Sequence, residues 1–131
     1  MPAKGRILAV DDETDTLSLI QLTLGQAGYA ITSVTTGEEA LQKLEAERFD
    51  VVLLDIMMPE LSGFEVLTRM RAAPGPMPPV VILTARGRAE DRERGKTLGA
   101  SAYLIKPVTR GDLLDTVEKA MSGSQPPNAA A

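Results

Sequence analysis

Four short apolar runs, each closed by a polar residue suited to phosphate or metal chemistry, constrain this chain more than any other feature. Ile7-Leu8-Ala9-Val10 stops at Asp11-Asp12, Val51-Val52-Leu53-Leu54 at Asp55, Val80-Val81-Ile82-Leu83 at Thr84, and Ala102-Tyr103-Leu104-Ile105 at Lys106-Pro107. Parallel strands covered on both faces read as continuous apolar runs. In an open α/β sheet, ligands bind beyond the carboxyl ends of the strands. Three carboxylates, a hydroxyl and an ammonium would therefore converge on one rim, a combination suited to a hard cation and a phosphoryl group.

Helical patterns separate these runs. Strands are predicted at Arg6 to Val10, Ala30 to Val34, Asp50 to Leu54, Val80 to Leu83 and Ser101 to Ile105. The second is alternating rather than continuous, as expected of an edge strand. Helices are predicted at Thr14 to Ala27, from Gly37 through Leu44, at Phe64 to Ala72, Arg88 to Leu98 and Thr109 to Met121. Leu17, Ile20 and Leu24 give the first an apolar face at helical spacing. Thr36 with Glu39 three residues on reads as a capping box. Gly28 and Gly99 read as helix stops. Strands alternating with helices give a parallel sheet with right-handed crossovers. The proline-rich stretch Pro74 to Pro79 is a stiff, extended loop. Residues 1–121 are expected to form one domain. Residues 122–131 are small, polar and proline-bearing, expected to be a disordered tail, with the last three alanines a cloning remnant.

With 131 residues the chain can bury a core without disulfide or metal staples. With two Tyr, two Phe and no Trp, that core must be aliphatic. A net charge of −4 argues against nucleic acid as the main partner. The lack of Cys excludes disulfides and thiol nucleophiles, and the lack of His excludes imidazole catalysis and a phosphohistidine-carrier role. No stretch approaches the ~20 apolar residues of a spanning helix, and none resembles a signal peptide, so a cytoplasmic location with no membrane partner is expected.

Taken together and in order, Asp11-Asp12, Leu53 to Pro59 with Gly63, Leu83-Thr84-Ala85, Leu98-Gly99-Ala100 and Tyr103 ahead of Lys106-Pro107 resemble the receiver domain of two-component response regulators, over residues 5 to 121. The resemblance implies a flavodoxin-like three-layer α/β fold with strand order 2-1-3-4-5, for which a receiver is a standard example. It makes Asp55 the phosphoacceptor. It makes Asp12 and Asp55 direct Mg²⁺ ligands, with the Met57 backbone carbonyl, and Asp11 a ligand through water. Thr84 and Lys106 would bind the phosphoryl oxygens, and the Lys106–Pro107 bond would be cis. Tyr103 would relay the change with Thr84 to the surface of the fourth helix, fifth strand and fifth helix. Met57 and Arg86 would flank the phosphate and tune its lifetime.

Each residue also has a plainer reading. Asp55 is suited to capping the following turn, and Asp12 or Glu13 to capping the first helix. Thr84 alone is a strand-end residue, Lys106 a solvated charge, and Tyr103 an edge tyrosine with its hydroxyl in water. Gly95-Lys96-Thr97 mimics the end of a phosphate loop, but Glu90 stands where the loop needs glycine. The basic residues from Arg86 to Lys96 are interleaved with acids and read as a solvated helix face.

The sequence departs from many DNA-binding regulators. Ser101-Ala102 stand where acids are common, Val108 where Phe is common, and the last helix has no Arg beyond its first turn. That argues against the charged dimer of those proteins. The expected function is a switch rather than an enzyme. It would take a phosphoryl group from a histidine kinase or histidine phosphotransfer protein and lose it slowly to water. It would act on a downstream protein target or an attached output domain, without touching nucleic acid directly. Stand-alone and excised receivers are both compatible with the sequence. A non-phosphorylated pseudo-receiver used for docking is the alternative. A haloacid-dehalogenase-type phosphatase would need a second Asp where Met57 stands.

Overall fold

The computed structural model describes residues 4–85 and 87–122. Arg86 and residues 123–131, with the expectations attached to them, lie outside the described residues. Ten elements alternate: β1 (Arg6–Val10), α1 (Thr14–Gln26), β2 (Ala30–Val34), α2 (Gly37–Ala46), β3 (Val51–Asp55), α3 (Gly63–Ala72), β4 (Val80–Thr84), α4 (Ala89–Thr97), β5 (Ala102–Ile105) and α5 (Arg110–Met121). The strands form one parallel sheet in the order β2-β1-β3-β4-β5. This is the flavodoxin-like order that the resemblance implies. No helix among the described residues is long and apolar enough to cross a membrane.

Side chains alternate across a strand, so each central strand feeds two cores. Leu8, Val10, Val52, Leu54, Val80 and Ile82 pack with Ala40, Phe64, Leu67 and Met70 on the face of α2 and α3. Ile7, Ala9, Val51, Leu53, Val81 and Leu83 pack with Leu17, Ile20, Leu24, Leu113 and Val117 on the face of α1 and α5. The central strands β3 and β4 are buried at every position, whereas the edge strand β2 is not.

The register brings the polar strand ends together. Val10 pairs with Leu54, so Asp11 and Asp55 stand side by side one step further on. Asp55 pairs with Leu83, one residue before Thr84. Thr84 pairs with Ile105, one residue before Lys106.

Boundaries depart from expectation by a residue or so, for local reasons. β3 starts at Val51 because the Asp50 carboxylate takes the Arg6 N–H at 2.8 Å, in place of a ladder bond. β3 and β4 run on through Asp55 and Thr84 because each still has a paired neighbour. Thr36 caps α2 by accepting from the Glu39 N–H, but Glu39 does not reach back as in a full capping box. Its carboxylate accepts instead from the hydroxyls of Thr35 and Thr36. Ser62 and Thr109 cap α3 and α5 in the same way.

Gly63 opens α3 directly against the end of β3, where a Cβ would run into the Asp55 carbonyl oxygen and the Ile56 Cα. Gly25, in the last turn of α1, has open space around it. Gly63→Ala is therefore expected to destabilise the fold by about 1–3 kcal/mol through overpacking. Gly25→Ala is expected to stabilise it by up to ~1 kcal/mol through helix propensity. Urea unfolding of the two variants checks both signs.

Candidate functional site

Asp11 and Asp55 use the same local device. Each ends a strand, and its Oδ1 accepts the backbone N–H two residues on, from Glu13 and Met57 respectively, at 2.9 Å. Such Asx turns are natural where a strand hands over to a loop. The plain capping reading of Asp55 thus describes its Oδ1. Because one oxygen of each carboxylate is tied to the backbone, the other, Oδ2, faces its neighbours across the rim. Asp11 is fully buried and Asp55 almost so, while Asp12 is exposed. Carboxylate oxygens of Asp11, Asp12 and Asp55 all lie within 4.8 Å of one another.

Lys106 enters from the far side of the rim, where its N–H donates to the Thr84 carbonyl at 2.7 Å. The Lys106–Pro107 bond is cis. Its ammonium lies 2.8 Å from Asp11 Oδ2, 2.6 Å from Glu13 Oε1 and 3.4 Å from Asp55 Oδ2. With a side chain only 12% exposed, Lys106 is not the solvated charge of the plainer reading. Asp11 Oδ2 is paired by distance but sits off the hydrogen-bond direction, leaving a buried oxygen short of a partner.

This crowding sets the ionisation of the site. Burial pushes the Asp55 carboxyl up to about 6, helped by the charge of Asp11 and opposed by the Met57 N–H and Lys106. Burial alone would lower the Lys106 ammonium. Its pairing with Asp11 and Glu13 and the charge of Asp55 outweigh that, and hold it above the ordinary lysine value.

Thr84 is fully buried at the end of β4, with its side chain hydrogen-bonded to the Tyr103 phenol. Tyr103 is half-buried, packs on the α2 and α3 core, and carries the Arg92 guanidinium 5.3 Å from its ring centre. Burial raises the phenol pKa, and the charge of Asp91 adds to it. The hydroxyl therefore has a protein partner in Thr84. Met57 leaves its side chain 44% exposed at the mouth.

Sequence reasoning missed one member of the site. Glu13 is the N-cap residue of α1, yet its side chain makes no capping hydrogen bond. Instead it crosses to Lys106, 93 positions away in the chain. The available signal was the unbroken run Asp11-Asp12-Glu13 after a strand, of which only the doublet was read as functional.

The donor set suits magnesium. It is all oxygen, it gathers three carboxylates, and it holds a buried carboxylate oxygen without a hydrogen bond. Mg²⁺ prefers such ligands, with few carboxylates and several retained waters.

A doubly wound parallel sheet with this acid-and-lysine rim defines a signalling receiver. The chain belongs to the response regulator receiver domain family, whose sequence profile matches residues 7–118. The alkaline phosphatase synthesis transcriptional regulatory protein PhoP of Bacillus subtilis is 40% identical over 104 residues, 79% of this chain and 43% of that protein. The chemotaxis response regulator CheY4 of Vibrio cholerae superposes with a TM-score of 0.83 at 34% identity, over 92% of this chain and 99% of that one. A CheY-like receiver domain protein from Methanospirillum hungatei gives 0.83 at 32% identity, over 91% and 94%. This chain spans about half the length of the curated relatives it matches.

The Asp55 shift carries a stability consequence. A carboxyl whose folded pKa is raised binds its proton more tightly when folded, so ionisation costs stability as pH rises from 3.8 to about 6. In chelator, Asp55→Asn is expected to stabilise the protein by about 1–3 kcal/mol at pH 7.5. The gain should shrink toward zero below pH 4. Denaturant midpoints of the two proteins at both pH values check this.

Proposed function

We propose that Asp55 accepts a phosphoryl group from a phosphohistidine on a histidine kinase or histidine phosphotransfer protein, with Mg²⁺ as cofactor. The observation that carries this reading is the meeting of Asp55 with Asp11 and Lys106 on one buried rim, beside Thr84. A carboxylate is a weak nucleophile that can form an acyl phosphate. One Asp55 carboxylate oxygen bonds to phosphorus as the P–N bond of the donor breaks, and the imidazole leaves with the electron pair. Water later attacks phosphorus, the P–O bond to Asp55 breaks, and inorganic phosphate departs. The domain is a switch that carries this chemistry rather than an enzyme with turnover on a substrate.

Phosphoryl transfer asks mainly for positioning and charge stabilisation. The Met57 N–H fixes Asp55 in orientation. The Lys106 ammonium and the Thr84 hydroxyl bind phosphoryl oxygens. Asp12, Asp55 and the Met57 backbone carbonyl would hold Mg²⁺ directly and Asp11 through water. The ion would neutralise charge on the transferring group. The exposed Met57 side chain flanks the phosphoryl and governs water access.

A bound phosphoryl group adds close to two negative charges at the end of β4. Thr84 responds to it, and its hydrogen bond to Tyr103 couples that response to α4, β5 and α5. The readout is a population shift between two packings of that face. The recipient is a downstream protein or an attached output domain. The transcriptional regulators among the relatives, about twice this length, are consistent with the second.

Intact-mass and peptide spectrometry after acetyl phosphate and MgCl2 tests the assignment. One phosphoryl group is expected on Asp55 and none on Asp55→Asn, and chelation should slow labelling by roughly 100-fold or more. An unmodified Asp55 would leave a docking module instead.

A further inference from the structure

An ammonium has three N–H donors, and that of Lys106 is crowded by three carboxylates: it hydrogen-bonds Glu13 at 2.6 Å and Asp55 at 3.4 Å, and Asp11 Oδ2 lies 2.8 Å away, off the hydrogen-bond direction. A phosphoryl oxygen that binds Lys106 must displace one of them. Asp11 is held in place, fully buried and with Oδ1 tied to the Glu13 N–H. Asp55 carries the phosphoryl group on the reading above. Glu13 alone is free to go: its side chain is 61% exposed and makes no capping bond to α1. It also makes the shortest contact with the ammonium, so it occupies the position nearest to the one an incoming anion needs.

We propose that Glu13 is a built-in competitor for Lys106, a tethered carboxylate that stands in for the phosphoryl group in the resting domain and must swing into water when Asp55 is phosphorylated. This makes Glu13 a positioning residue, acting through Lys106 and not on the phosphorus. It holds the ammonium away from Asp55 until an anion able to compete arrives. In the phosphorylated state the released carboxylate remains tethered beside Lys106, and its return favours loss of the phosphoryl group. The inference rests on the reading of Asp55 as phosphoacceptor.

The test compares wild-type protein with Glu13→Gln, which keeps the shape and removes the charge. Asp15→Asn serves as control. Asp15 is an exposed acid in the first turn of the same helix, with no contact to Lys106 among those of the described residues. Phosphorylation of Asp55 by acetyl phosphate is followed at saturating Mg²⁺, together with the decay of phospho-Asp55 after donor removal. Glu13→Gln is expected to speed labelling about threefold and to slow decay by a similar factor, the size expected of one ion pair whose carboxylate is solvent-exposed. Asp15→Asn should change neither by as much. Glu13→Ala should follow Glu13→Gln, which guards against a fold effect of either replacement.

Equal gains in Glu13→Gln and Asp15→Asn would mean a general charge effect and overturn the proposal. So would an unchanged or slower rate in the Glu13 variants, with wild-type Asp55 labelled normally. A wild-type protein that takes no phosphoryl group would instead overturn the phosphoacceptor reading, and the proposal with it.

Discussion

At the carboxyl edge of the sheet, one lysine ammonium is shared by three carboxylates, two of them buried. Burying carboxylates costs free energy unless hydrogen bonds and opposite charge offset it. Here the offset comes in two parts. Backbone N–H groups of Glu13 and Met57 each satisfy one carboxylate oxygen, and Lys106 faces the others. The offset is incomplete, as the raised Asp55 pKa and the Asp11 oxygen that faces Lys106 without a hydrogen bond indicate. A site left short of positive charge suits a cation.

The remainder of the fold tolerates this cost because the sheet is sandwiched between two aliphatic cores. The same strands that bury Val10, Leu54 and Leu83 deliver Asp11, Asp55 and Thr84 at their ends. Stability and site are therefore coupled through register: slipping a strand by one residue would turn its apolar side chains to the wrong face as well as scatter the rim. The link outward is equally short. Thr84 touches the site through β4 and Tyr103 through its hydroxyl, and Arg92 of α4 stacks on the tyrosine ring.

Much of this was visible in the chain. β1 and β2 have the predicted limits, since each apolar stretch is bounded by charge or by glycine and threonine. Helix ends moved by a residue where a cap, such as Thr109 for α5, stands outside the helix it stabilises. The acid cluster was readable because each member follows a strand, and strand ends of a parallel sheet share one rim. Burial was not readable: Asp11, expected to act at one remove through water, is the most enclosed of the acids, and Asp12 is exposed.

The sequence by itself determined the layers, the strand order through its likeness to a family, and the set of groups that meet at the edge. Periodicity and strand-end chemistry are local properties, written in neighbouring residues. Only the tertiary structure decided which carboxylate faces which cation. Glu13 and Lys106 are brought together by the sheet across 93 positions, and no local pattern encodes that encounter. Pairing of charges depends on distance and burial in space, and both exist only once β1 and β5 have taken their places on either side of β3 and β4.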